Sequence, residues 1–243
     1  MRVKHLVFVG AGAFLLFLIA FMPASSALRF ASLPSSFSYR SVAGSIWNME
    51  FSDVSIYGRP VGRLTLGTGL SVLAGGLNGH VRLDGQDIAA EFDLEITEQI
   101  AVENLNLTMG LSGRIASVTF DGAMRVQDAA VELQPSGRCL SASGRIRTNA
   151  FEEMFATLGM SRDAVDADLT CAGGYLQTSF SRSFSDGDIN VTGSIIEPSV
   201  LNMAVLLRFD DQTAIPQEVL EWLETNGFQA TEDGWQTTAR AQL

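Results

Sequence analysis

The chain is poor in the side chains on which most enzyme chemistry and nucleic-acid binding rest. It has two histidines, His5 and His80, two cysteines, Cys139 and Cys171, and a single lysine, Lys4. His5 lies in the apolar N-terminal run, so the body of the chain holds one imidazole. That leaves no cluster for a zinc centre, and a Ser-His-Asp triad would have to be built on His80 alone. His80 follows Gly79 and precedes Val81, a strand context that predicts an exposed residue. There is no Cys-x-x-Cys spacing, and neither histidine is close in sequence to a cysteine, which argues against a redox or metal centre. Arginine and lysine together number 16 against 27 acidic residues, a net charge of −11. Nucleic-acid binders need a positive footprint, so a phosphate-tracking surface is not expected. The glycines fall at strand ends, outside the strand-to-helix setting of a phosphate-binding loop. The run Asp163-Ala-Val-Asp166-Ala-Asp168 has a weakly calcium-like spacing but lacks the loop of an EF-hand, and turn capping explains it better. The sequence therefore predicts no catalytic residue, no cofactor and no metal.

What the chain does have begins almost at the initiator Met. Val3–Met22 is an apolar run with Lys4 as its only charge. At 1.5 Å per residue, a helix of about twenty residues just crosses a hydrocarbon core of roughly 30 Å. Arg2 and Lys4 on its N-terminal side leave that end in the cytoplasm and send the remainder across the membrane. The partition expected is an anchor at 1–23, a Ser- and Ala-rich tether at 24–43 and a β-rich exported body at 44–243. A cleaved signal peptide is the rival, with Ser25 and Ala27 as small residues for a processing site. Both readings export the chain.

Beyond the tether, short alternating runs recur every 8–12 residues, punctuated by Gly, Asp and Pro, which is the pattern of an all-β domain. Ile46, Trp47, Phe51, Val54 and Ile56 read as a first hairpin turning near Ser52-Asp53. Ile88, Ala90, Phe92 and Leu94 alternate with Ala89, Glu91, Asp93 and Glu95, one face apolar and the other polar. Asp121-Gly122 and Asp186-Gly187 read as turns. The apolar face slips between Val126 and Val131, which predicts a bulge or bend near Asp128. The segment Gly69–Gly75 reads as one turn or a wide connection. Two short helices are expected. One spans Asn149–Gly159, capped by Asn149, with Phe151, Met154, Phe155 and Leu158 on one face. The other spans Gln217–Asn226, with Pro216 at its start and Gly227 at its end. The fold class is thus all-β: a single N-terminal transmembrane helix, then a long curved antiparallel sheet with two short packing helices.

In an oxidising compartment Cys139 and Cys171 would form a disulfide, worth about 3–4 kcal/mol in the chain-entropy model; two buried free thiols are the alternative. Trp47 follows Gly44 just after the tether, while Trp222 and Trp235 belong to the last unit, where large rings could seal the ends of a sheet. An interfacial position suits Trp47 better than the C-terminal pair.

An N-terminal membrane helix ending at Pro23-Ala24, followed by Gly44-Ser45-Ile46-Trp47 opening a β-rich exported domain, resembles the N protein family of the bacterial type II secretion system. Cys171 with Gly173 on a strand, the helix with Phe155, Leu158 and Gly159, and the closing pattern Leu220, Leu223, Gly227, Gly234, Trp235 and Leu243 are similar to that family as well. The family tryptophan is commonly followed two places on by glycine, where this chain has Met49. The resemblance implies an accessory component anchored in the inner membrane of a Gram-negative bacterium, its body in the periplasm, its partners other secretion components, and no enzymatic activity. A second reading, from the fold alone, is a periplasmic groove protein of the bridge-like AsmA type. Its apolar trough, rimmed by Phe92, Leu107, Val205 and Leu207, would hold lipid or a hydrophobic segment.

Overall fold

The computed structural model describes residues 21–29, 33–69, 77–115, 118–197, 200–211, 213 and 215–242. Among them the chain is all-β, with fifteen antiparallel strands and three short helices rather than two. It divides into two compact units, one ending at Glu95 and one beginning at Ile96. Among the described residues no helix is long and apolar enough to cross a membrane. The run Val3–Met22, apart from its last two residues, lies outside the described residues, as does most of Gly69–Gly75.

The first unit opens with α1 (Ala24–Ala27), the helix not foreseen from sequence, and continues through β1 (Phe37–Ser38) and β2 (Ser41–Ser45). The stretch expected as a tether therefore holds α1, β1 and most of β2. Four longer strands follow: β3 (Asn48–Ile56), β4 (Arg59–Thr68), β5 (Leu77–Asp84) and β6 (Ile88–Ile96). β3, β4, β5 and β6 lie side by side in chain order, and β1 and β2 share the outer edge of β3. Phe51, Val54, Val81, Leu83 and Ala90 are buried. The rings of Phe37 and Tyr39 meet Phe51 edge-on, at 5.7 and 5.2 Å between centroids.

The chain does not reverse at Ser52-Asp53. The reversals fall at Ile46-Trp47 and Tyr57-Gly58, and β3 runs through Asp53 with a register shift against β4 between Phe51 and Val54. Asp53 takes a left-handed backbone, φ +52°. The extra residue lets Phe51 and Val54, three apart, point to the same buried side, which a regular strand forbids. The device recurs twice. In β7 (Ile100–Ile115) the ladder shifts between Val102 and Leu105, with Asn104 at φ +53°. In β8 (Val118–Leu133) it shifts between Gln127 and Ala130, with Asp128 at φ +47°, as the slip in pattern predicted. Each is an apolar residue, any residue, Asp or Asn, then another apolar residue. Asp and Asn tolerate the left-handed region better than other non-glycine residues, which is why they hold the bulge position.

The second unit continues with β9 (Cys139–Thr148), α2 (Glu152–Thr157), β10 (Val165–Ala172), β11 (Tyr175–Phe184), β12 (Gly187–Glu197) and β13 (Val200–Phe209). α3 (Gln217–Thr225), β14 (Gln229–Thr231) and β15 (Gly234–Gln242) complete it. β7 to β13 neighbour one another in chain order, β15 pairs with β13, and β14 covers one end of β15. Asp121-Gly122 is not a turn. β8 runs straight through it, with Asp121 opposite Ser112 and Gly122 opposite Leu111. A side chain at Gly122 would collide with Asn149 and the Ala150 backbone, so that glycine marks a close approach.

α2 is shorter than expected, and Asn149 does not cap it. Phe151 occupies the N-cap without a side-chain hydrogen bond, while the Asn149 Oδ1 accepts from the Ala123 N–H at 2.8 Å. Pro216 likewise stands just outside α3, at its N-cap. Phe151, Met154, Phe155 and Leu158 from the α2 region and Leu223 from α3 are buried against Ile189, Val191, Val205 and Leu207 of the sheet. A second cluster on the same unit gathers Val126, Ala129, Val131, Cys139, Ile146 and Leu169.

Candidate functional site

Two of the residues singled out from sequence, Gly44 and Trp47, belong to one hairpin, and the structure explains why the Gly-Ser-Ile-Trp sequence stands there. Ser45 pairs with Asn48, leaving Ile46 and Trp47 as a two-residue loop. Gly44 sits at φ +88°, and a Cβ on it would overlap the Asn48 carbonyl, so both conformation and space require glycine. The loop is held from three sides. The Trp47 N–H donates to the Ser45 Oγ at 3.3 Å. The Thr68 hydroxyl donates to the Ile46 carbonyl at 2.6 Å, and the Thr68 N–H donates to the Trp47 carbonyl at 2.9 Å. From the third side comes the N-terminal segment, with the Ile46 N–H donating to the Met22 carbonyl at 3.1 Å and Pro23 bridging to Ser45. Ala24, the first residue of α1, is fully buried. The chain thus leaves at Pro23 and comes back, more than twenty residues later, to pair with its own point of departure.

Thr68, Met22, Pro23 and Ala24 were not visible as parts of this site. Each reaches it through a contact far away in sequence; Met22, Pro23 and Ala24 were read only as the end of the apolar run, and Thr68 stands out neither by type nor by spacing.

The remaining candidates lie in the second unit. Cys139 and Cys171 form a disulfide with a Cα–Cα distance of 5.7 Å. The β9–β10 ladder runs only from Thr148/Val165 to Arg145/Asp168. Beyond it the two strands are joined by the disulfide, and the Cys139 N–H donates to the carbonyl of Gly174, in the turn after β10, at 2.8 Å. The bridge therefore clasps the pair where regular pairing has ended. Trp222 and Trp235 both pack, partly buried, on the cluster under α2 and α3, and the Trp222 ring lies 5.7 Å from that of Phe228.

His80 is exposed on β5, as read from sequence, with Nδ1 2.9 Å from Asp93 Oδ1 and Nε2 3.2 Å from Glu91 Oε1. The two carboxylates stand on opposite sides of the ring and do not converge on a point where a metal could bind. Among the described residues no group of His, Cys, Asp and Glu could hold a metal ion. The Asp163–Asp168 run comes apart in the same way. Asp163 precedes β10 and accepts from the Ser161 hydroxyl at 2.7 Å, while Asp166 and Asp168 lie opposite Arg147 and Arg145 on β9. It is a cross-strand charge pattern. Arg182 ties this corner together, its guanidinium 5.0 Å from the Phe155 ring centroid and its Nη1 donating to the Asp163 carbonyl.

The apolar-trough reading gains no support. Val205 and Leu207, two of its four named rim residues, are buried at 1 % and 0 % exposure beneath α2 and α3.

Residues 36–238 match the family model described as type II secretion system (T2SS), protein N. The chain belongs to the T2SS protein N family. The family match spans β1 through most of β15 and so includes the Gly44–Trp47 hairpin, the disulfide and both C-terminal tryptophans. The segment 22–24 that clasps the hairpin precedes it. No curated protein and no solved structure matches the chain.

Proposed function

We propose that this T2SS N-family protein is an accessory, structural component of the type II secretion apparatus, anchored in the inner membrane by Val3–Met22 with its β-rich body in the periplasm. The partition that goes with this reading is an anchor at 1–23, a connecting segment at 24–43 and a body at 44–243. The family match over residues 36–238 carries the proposal. Three further observations support this reading, the first two bearing on export and the third on an uncleaved anchor. Arg2 and Lys4 flank the apolar run on the side that would remain in the cytoplasm. The Cys139–Cys171 bridge suits an oxidising compartment. Ala24 is buried and Met22 and Pro23 pair with the first hairpin, so cleavage near Ala27 would remove part of the folded first unit. In this reading the protein has no catalytic role and works by contact with other secretion components.

The test is crosslinking in cells. A photo-crosslinking residue placed at Tyr57 or Tyr175, which are 51 % and 46 % exposed, should trap another secretion component. Full-length chain should also stay in the membrane pellet through an alkaline carbonate wash. Recovery of the chain uncrosslinked from both positions counts against the secretion role, and release by the wash counts against the anchor.

A further inference from the structure

The pairing of Met22 and Pro23 with Ser45 and Ile46 sets where the first hairpin stands relative to the end of the apolar run. If Val3–Met22 spans the hydrocarbon core, Met22 lies at its edge, and the headgroup layer extends roughly 5–7 Å beyond. The Ile46 N–H is 3.1 Å from the Met22 carbonyl, and Trp47 is the next residue. The clasp therefore holds the backbone of the turn beside the end of the apolar run. We propose that the Ile46-Trp47 turn rests on the periplasmic lipid surface with the Trp47 indole among the headgroups, so that the first unit is seated on the membrane rather than hung from a flexible leash. The inference rests on the anchored reading above.

The chemistry of the surface agrees. An indole joins a large apolar ring to an N–H donor, which is why tryptophan gathers at membrane–water boundaries. Ile46 and Trp47 are partly buried, and Phe21 is 67 % exposed at the end of the apolar run. Residues 21–29 and 44–48 include no carboxylate and one cation, Arg29, in a chain of net charge −11. An acid-free, apolar face with a positive edge is one that an anionic lipid surface would not repel. Strand β2 and helix α1 hold the turn in place, and Thr68 fixes both of its carbonyls.

The test uses the full chain reconstituted into vesicles of phosphatidylethanolamine and phosphatidylglycerol whose acyl chains carry bromine near the headgroup. The Trp47 emission, read as the difference between wild type and Trp47→Phe, should fall by roughly half relative to unbrominated vesicles, because a ring at headgroup level lies within reach of the bromines. A Trp222→Phe, Trp235→Phe chain leaves Trp47 as the sole indole and should show the same loss directly. If the chain stays with the vesicles through a carbonate wash while Trp47 emission is unchanged, the seating is overturned and the anchor stands. If the wash releases the chain, the anchor fails and the seating fails with it.

Discussion

Among the described residues of the first unit, the rings of Phe37 and Tyr39, carried on or beside β1, pack edge-on against Phe51, and Val54, Val81 and Leu83 are buried. In the second unit the corresponding work falls to two helices, α2 and α3, which lay Phe155 and Leu223 on Ile189, Val205 and Leu207. The helices are six and nine residues long, too short to stand alone in water. They exist because the sheet offers them a face, and the sheet stays dry because they cover it. In the second unit each layer therefore needs the other. The first unit depends instead on its edge, where α1, β1 and β2 double back onto β3. Both use the same bulge to aim apolar side chains, so the difference lies in what closes the face.

The sharpest way to break this contrast is to remove a helix anchor. Phe155→Ala should destabilise the second unit by about 3–5 kcal/mol. Limited proteolysis should then open sites after Ile96 while the first unit stays resistant. If both units become sensitive together, they do not fold independently. Replacing both cysteines by alanine should cost the second unit about 2–4 kcal/mol, read as a shift in denaturant midpoint. Reducing agent should lower the midpoint of the wild type by a similar amount and leave that of the variant unmoved. Asp53→Val and Asp128→Val should each cost about 1–2 kcal/mol, because a β-branched residue resists the left-handed backbone. The corresponding glycine variants should be near neutral. Equal losses for valine and glycine at either position would show that the carboxylate, not the backbone, is what matters there. Thr68→Val removes one hydrogen bond to the hairpin loop and should cost about 0.5–1.5 kcal/mol, confined to the first unit. Smallest of all, His80→Asn should change stability by less than about 0.5 kcal/mol, since its partners are exposed.

Much of the strand grammar was legible in the chain. Alternation in Ile88–Leu94 follows from a two-residue repeat that sterics impose on any strand, and the buried Ala90 falls where it says. Asp128 was legible because an apolar face that changes parity demands an extra residue. Asp53 obeys the same rule, yet a Ser-Asp pair also suits a turn, and nothing local decides between them. Asp121-Gly122 misled for a related reason, since glycine serves a tight turn and a crowded strand equally well. Asn149 has the type and spacing of a helix cap, but the Ala123 N–H on a neighbouring strand holds its side chain instead.

The amino-acid order alone determined the class of the protein: an apolar N-terminal run, a β body, two cysteines able to form a bridge, and a family likeness carried by Gly44 to Trp47. These depend on composition and on neighbours a few residues apart, which the chain cannot rearrange. Tertiary structure decided that the hairpin closes on Met22, that Thr68 pins it, that the disulfide lies beyond the end of the β9–β10 ladder, and that the two helices cover the face of Val205 and Leu207, which the alternative groove reading would have left open. Each of those contacts joins residues distant in sequence, and it forms only after the strands between them have paired.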